Sequence, residues 1–93
     1  MIMHLTIHKP LPENTETLVE ALHHFERVIR GQPGVLSVHT LKDTQSGTLI
    51  SLAVWSTKET WLTGQPAVHR AEADANFTGL DPEPPQVFYL EEV

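Results

Sequence analysis

Leu49-Ile50-Ser51-Leu52-Ala53-Val54-Trp55, a run with a single polar side chain, decides how this chain folds. It is too short and too rich in β-branched and aromatic residues for a helix, and reads as the core of a strand over Thr48 to Trp55. In a strand, alternate side chains point to opposite faces. Ile50, Leu52 and Val54 therefore face one way, and Leu49, Ala53 and Trp55 the other. Both faces are apolar, so both need cover.

Working back from this strand, Asp43-Thr44-Gln45-Ser46-Gly47 is a polar stretch ending in glycine, the composition of a hairpin loop. It joins the run to a second, mixed strand, Val35 to Lys42, with Leu36 and Val38 opposite Val35 and Leu41. Before that, Leu18, Ala21, Leu22, Phe25, Val28 and Ile29 recur at helical spacing. They predict a helix over about Thr15 to Arg30, capped by Asn14 and stopped by a left-handed Gly31 and by Pro33. The first segment, Met1 to His8, sorts into Met1, Met3, Leu5, Ile7 and Ile2, His4, Thr6, His8, the period-two signature of a strand.

Working forward, Ser56 with Glu59 predicts a capping box and a second helix. Thr63-Gly64-Gln65-Pro66 is expected to break that helix before it resumes through Ala67 to Ala75. A Gly- and Pro-containing loop then leads to a last strand, Gln86 to Glu92.

The order is β-α-β-β-α-β, an α+β fold of the ferredoxin-like kind in which each helix links two parallel strands with a third inserted between them. Right-handed crossovers place both helices on one face of a four-stranded antiparallel sheet. The other face has no cover from its own chain. At about 25 cal/mol for each Å² of apolar surface, leaving Ile50, Leu52 and Val54 wet forfeits much of the gain from folding. A second copy packed on that face, giving a homodimer, is the expected solution. The whole of residues 1–93 is expected to form one domain.

Twelve acidic residues against six Lys and Arg give a net charge of −6, the wrong sign for gripping nucleic acid or an anionic membrane. With no cysteine there is neither a disulfide nor a thiolate site, and no apolar run reaches membrane-spanning length. Met1 to Lys9 alternates instead of forming the apolar core of a signal peptide, so a cytoplasmic location is expected. Asn76-Phe77-Thr78 has the form of a glycosylation acceptor, which that location would leave unused.

The element order resembles the dimeric α/β-barrel superfamily, and within it the antibiotic biosynthesis monooxygenase-like domains. Three passages carry the likeness: Gln32-Pro33-Gly34-Val35-Leu36, Val54-Trp55-Ser56-Thr57-Lys58-Glu59, and Trp61 through His69. The resemblance implies a dimer with a pocket between sheet and helices in each subunit, in which a small aromatic or polyketide-like compound is oxidised by molecular oxygen without metal or flavin. It also implies two alternatives: a non-catalytic ligand-binding dimer, and a haem-binding or haem-degrading enzyme. The haem-degrading branch carries an asparagine on its first strand, a tryptophan on its second helix, and a histidine nine or ten residues later. Here Trp61 matches, His4 or Thr6 stands in place of the asparagine, and His69 comes one or two positions early.

Six histidines invite an acid-base or metal reading. His4 and His8 share a strand face with Thr6, and His39 would join them if the second strand turned its Val35, Ser37, His39, Leu41 side the same way. No His-x-x-x-His on a helix and no acidic residue on those strands supports a metal centre, so a polar pocket lining is expected. His23 and His24 fall off the apolar stripe of the first helix and are expected in solvent. His69, three residues before Glu72, is placed to handle a phenol or enol proton, with His4 and Thr6 as further candidates. Trp55, Trp61, Phe77 and Tyr89 are the candidate pocket wall. Which of Tyr89 or its neighbours Phe88 and Leu90 faces the helices is left open by the sequence.

Overall fold

In the computed structural model, which describes residues 1–77 and 79–93, the decisive run forms an interior strand. The elements are β1 (Ile2–His8), a 3-10 turn (Pro12–Asn14), α1 (Thr15–Arg30), β2 (Val35–Lys42), β3 (Leu49–Trp55), α2 (Lys58–Ala75) and β4 (Gln86–Glu91). The sheet order is β2-β3-β1-β4 with every neighbouring pair antiparallel. The fold is the ferredoxin-like α+β arrangement that the element order predicts.

Along β3 burial alternates: Leu49, Ser51, Ala53 and Trp55 are buried under the helices, while Ile50, Leu52 and Val54 are half-buried on the helix-free face. Register carries this parity to the neighbours. His4 lies opposite Ala53 and Tyr89, and Leu5 opposite Leu52 and Phe88. So Ile2, His4, Thr6 and His8, the more polar side of β1, face the helices, and Met3, Leu5 and Ile7 face away. On β4, Val87 and Tyr89 share the helix side, whereas Phe88 and Leu90 sit on the open one.

β2 departs from simple alternation. Val35 pairs with Trp55 but Ser37 pairs with Val54, so Leu36 is the extra residue of a bulge. The bulge puts Val35 on the same side as Val38, which is buried. It also sets His39, opposite Leu52, on the face away from His4 and His8. The condition under which His39 would join His4 and His8 is therefore not met.

Two apolar clusters tie the helices to the sheet. Phe25, Ile29, Val68 and Ala71 pack with Ile2, Val38, Ala53 and Trp55, and Leu18 and Leu22 pack with Leu49. Phe77 touches both clusters. Of the expected α1 stripe only Val28 is exposed.

Local stops and starts differ from expectation in instructive ways. Gly31 ends α1 with a right-handed φ of −81°; the left-handed glycine is Gly34, at φ 87°. Asn14 makes no capping bond, its side-chain amide donating to the Leu80 carbonyl at 3.4 Å. The capping box of α2 lies one residue later than predicted, between Thr57 and Thr60. α2 is also continuous. Pro66 withholds a donor from the Leu62 carbonyl, but Leu62 is exposed and water can serve it, while Gln65 Nε2 donates to the Trp61 carbonyl at 3.1 Å. The helix ends at a left-handed Asn76. Thr78, the third residue of the glycosylation pattern, lies outside the described residues.

Candidate functional site

Burying His4, His8 and Ser51, with Thr6 half-buried between the two histidines, on the core side of a sheet forgoes apolar contact and demands polar partners. The structure accounts for the row: it floors a cavity of about 270 Å³ between the sheet and the helices. Leu22 and Phe25 of α1 close one side, Gln65, His69 and Glu72 of α2 another, and Phe77, Val87 and Tyr89 complete the wall. The cavity thus has apolar and aromatic walls from α1, Phe77, Val87 and Tyr89, and polar groups on its floor and on its α2 side.

The floor also holds a histidine–carboxylate hydrogen bond. His8 Nδ1 donates to Asp81 Oδ2 at 2.9 Å, with both side chains almost wholly buried. Asp81 Oδ1 is buried with no partner among the described residues. The His8 ring stacks on Phe77 at 5.7 Å between centroids, with 29° between planes. Along the floor, His4 Nε2 comes within 3.5 Å of Thr6 Oγ1, and the His4 ring lies 4.9 Å from that of Tyr89. Burial lowers the His4 pKa below the ordinary imidazole value. His69 and Glu72 stand on the exposed rim. Partial desolvation there raises the Glu72 carboxyl pKa, against the opposing pull of His69.

The predicted candidates thus come together in part. His4, Thr6, His69, Phe77 and Tyr89 all line the cavity. Trp61 stands behind Tyr89, rings 5.2 Å apart and tilted by 53°. Trp55 does not reach the cavity: at the far end of β3, beyond the polar row, it is fully buried in the core between sheet and α2. Its Nε1 and that of Trp61 are buried without partners among the described residues. His23 is exposed and His24 half-buried on α1.

Sequence reasoning missed three contributors. Ser51 left a signal, as the one polar residue of the decisive run. Gln65 was read only as part of a helix break. Asp81, 73 residues from His8, has no local pattern that announces it.

Among the described residues no group of three or more His, Cys, Asp or Glu is placed to hold a metal ion. The lining gives the haem reading little support: the expected ligand His69 stands on the exposed rim beside a carboxylate, Glu72, and not on the cavity floor. No helix among the described residues is long and apolar enough to cross a membrane.

Residues 1–73 match the family described as antibiotic biosynthesis monooxygenase. The chain belongs to that family. No protein of curated function shows a significant sequence match. Solved structures agree on the fold. The chain is similar to Rv0793 of Mycobacterium tuberculosis at 17% identity and a TM-score of 0.82, covering 99% of this chain and 94% of that one. It is similar to a conserved protein of Methanosarcina mazei at 10% identity and a TM-score of 0.84, covering 99% and 92%. It is also similar to a monooxygenase from the ActVA-Orf6 gene of Streptomyces coelicolor, determined with the ligand Nanaomycin D, at 18% identity and a TM-score of 0.74, covering 99% and 87%. At these identities the likeness speaks for architecture, and the cavity's own residues must speak for chemistry.

Proposed function

We propose that this family member is a homodimeric, cofactor-independent monooxygenase acting on a small aromatic or polyketide-like compound held in the cavity. The observation that carries the proposal is the inward-facing polar row His4-Thr6-His8, with Ser51, beneath walls that include Phe77 and Tyr89. Aromatic walls suit a flat ring, and imidazoles beneath it suit a ring that bears hydroxyls. The Nanaomycin D held by the Streptomyces coelicolor monooxygenase is in keeping with this.

The chemistry is one that acid-base groups can assist without a metal. Loss of a phenolic proton makes the ring electron-rich. A ring C–H para to that oxygen then becomes a carbonyl: one atom of dioxygen enters the ring, the other leaves as water, and the substrate supplies every electron. In this reading His4, Thr6 and His69 steer protons, Phe77 and Tyr89 hold the ring, and Trp61 braces Tyr89.

Dimer formation is supported by the helix-free face, where Met3, Leu5, Ile7, Ile50, Leu52 and Val54 are half-buried beside the exposed Phe88 and Leu90.

An oxygen electrode with a panel of naphthols and phenols unsubstituted para to the hydroxyl, in chelator and without flavin, tests the activity. Protein-dependent oxygen uptake with a quinone product that carries one atom from dioxygen is expected. Tight binding of panel members with no uptake at all would instead make the protein a small-ligand carrier.

A further inference from the structure

Three imidazoles line the cavity, but only one is held by a carboxylate. His4 has Thr6 as its polar neighbour, and His69 stands on the water-exposed rim with Glu72. His8 alone is fixed at depth, by Asp81 on one ring nitrogen and by the Phe77 ring against its plane.

We infer that His8 is the proton-accepting catalytic residue of the cavity and that Asp81 is its positioning residue, an assignment that rests on the cavity binding phenols as proposed above. A carboxylate can only accept, so the 2.9 Å contact puts the proton of the neutral ring on Nδ1. Nε2 is then the free base. It has no hydrogen-bond partner among the described residues, and His8 lines the cavity. When a bound hydroxyl meets it, the O–H bond breaks, the proton joins Nε2, and both bonding electrons stay on the phenolate oxygen. No oxidant enters this step. The imidazolium that forms lies against the Asp81 carboxylate in a site nearly closed to water, where an ion pair counts for more than at the surface. The unpartnered Asp81 Oδ1 fits this role, since a buried carboxylate lacking donors gains from a cation beside it.

Of the other titratable side chains on the cavity, His4, Tyr89, His69 and Glu72, none is hydrogen-bonded to a carboxylate among the described residues; α1 contributes only Leu22 and Phe25. Loop closure explains why the pair forms at all: the segment after α2 returns Asp81 to the last residue of β1, and Asn14 Nδ2 holds the adjacent Leu80 carbonyl.

The test uses the whole protein, nitrogen NMR of labelled histidine, and para-nitrophenol, whose phenolate is coloured. In the neutral protein His8 is expected to carry its proton on Nδ1, and D81N to shift it toward the mixed tautomers of a free imidazole. Bound nitrophenol is expected to show a phenolate-to-phenol ratio roughly tenfold above that free in the same buffer, the factor of one pKa unit. H8Q should bind nitrophenol yet lose the enhancement, and D81N should reduce it. A His8 proton on Nε2, an unchanged ratio on binding, or an enhancement that survives H8Q would each overturn the assignment. Failure of nitrophenol to bind would overturn the phenol site itself. If H8Q does not fold, the wild-type tautomer and ratio still decide. Oxygen plays no part in these readouts. A protein that ionises nitrophenol but consumes no oxygen keeps the dyad and loses the monooxygenase reading, whereas oxygen uptake indifferent to H8Q does the reverse.

Discussion

The indole of Trp55 lies directly against the backbone of Gly64: a Cβ built on Gly64 would come within 2.5 Å of Trp55 Cη2 and 2.6 Å of Cζ3. This contact sets the distance between α2 and the sheet, and with it the height of the cavity. Trp55 is fully buried, so its ring has nowhere to move. G64A should destabilise the protein by about 1–3 kcal/mol through overpacking, despite the better helix propensity of alanine. Urea unfolding measures it, and a neutral or stabilising result would mean that the helix lifts freely.

The start of α2 offers a sharper comparison. Thr57 accepts from the Thr60 amide at 3.1 Å, and the Thr60 hydroxyl accepts from the Thr57 amide at 3.3 Å. T57A should therefore cost about 1 kcal/mol, whereas S56A, at the position the sequence favours, should cost little. Equal losses in thermal melts would restore the earlier start.

Legibility followed the range of the forces involved. β3 could be read because apolar residues on both of its faces left no other placement for it, and α1 because its stripe is nearly complete. The continuity of α2 could not: whether Pro66 breaks a helix depends on whether the Leu62 carbonyl it deprives can find water, which only tertiary placement decides. Period two divided β1 into two sets without saying which set meets the helices. Apolar logic favours Met3, Leu5 and Ile7, and the protein instead turns His4, Thr6 and His8 inward as the floor of its cavity. Asp81 was silent because the distance that matters runs through space, to a residue at the other end of the chain.

The buried floor should make folding sensitive to acid. The folded His4 pKa lies below its unfolded 6.5 because burial penalises the charged ring. Between those values the unfolded chain binds the extra proton. The His4 contribution is thus fully present above 6.5 and is lost as pH falls toward the folded value. Glu72 acts in the opposite sense at lower pH: its folded value lies above 4.5, so its contribution is present below 4.5 and is lost as pH rises through the folded value. Melting temperature should drop from roughly pH 7 to 5 and do so less steeply in H4Q. Parallel curves for the two proteins would remove His4 as the cause.

Leu52 is where pairing of two copies is most exposed to a single change. It occupies the middle of β3 on the helix-free face, opposite Leu5 on one side and His39 on the other. If a second copy covers this face, a carboxylate there loses its water among Ile50, Val54, Leu5 and Phe88, and the His39 imidazole opposite it is its one titratable cross-strand neighbour among the described residues. L52E should then weaken association by about 2 kcal/mol or more, roughly thirtyfold or greater in the dimer dissociation constant. Ser51, its neighbour on the other face, makes the control. S51A alters the cavity floor and should leave association untouched. Light scattering across a dilution series reads both. A wild-type protein that is monomeric at micromolar concentration, or an L52E protein that stays dimeric, would show that the apolar face serves another purpose.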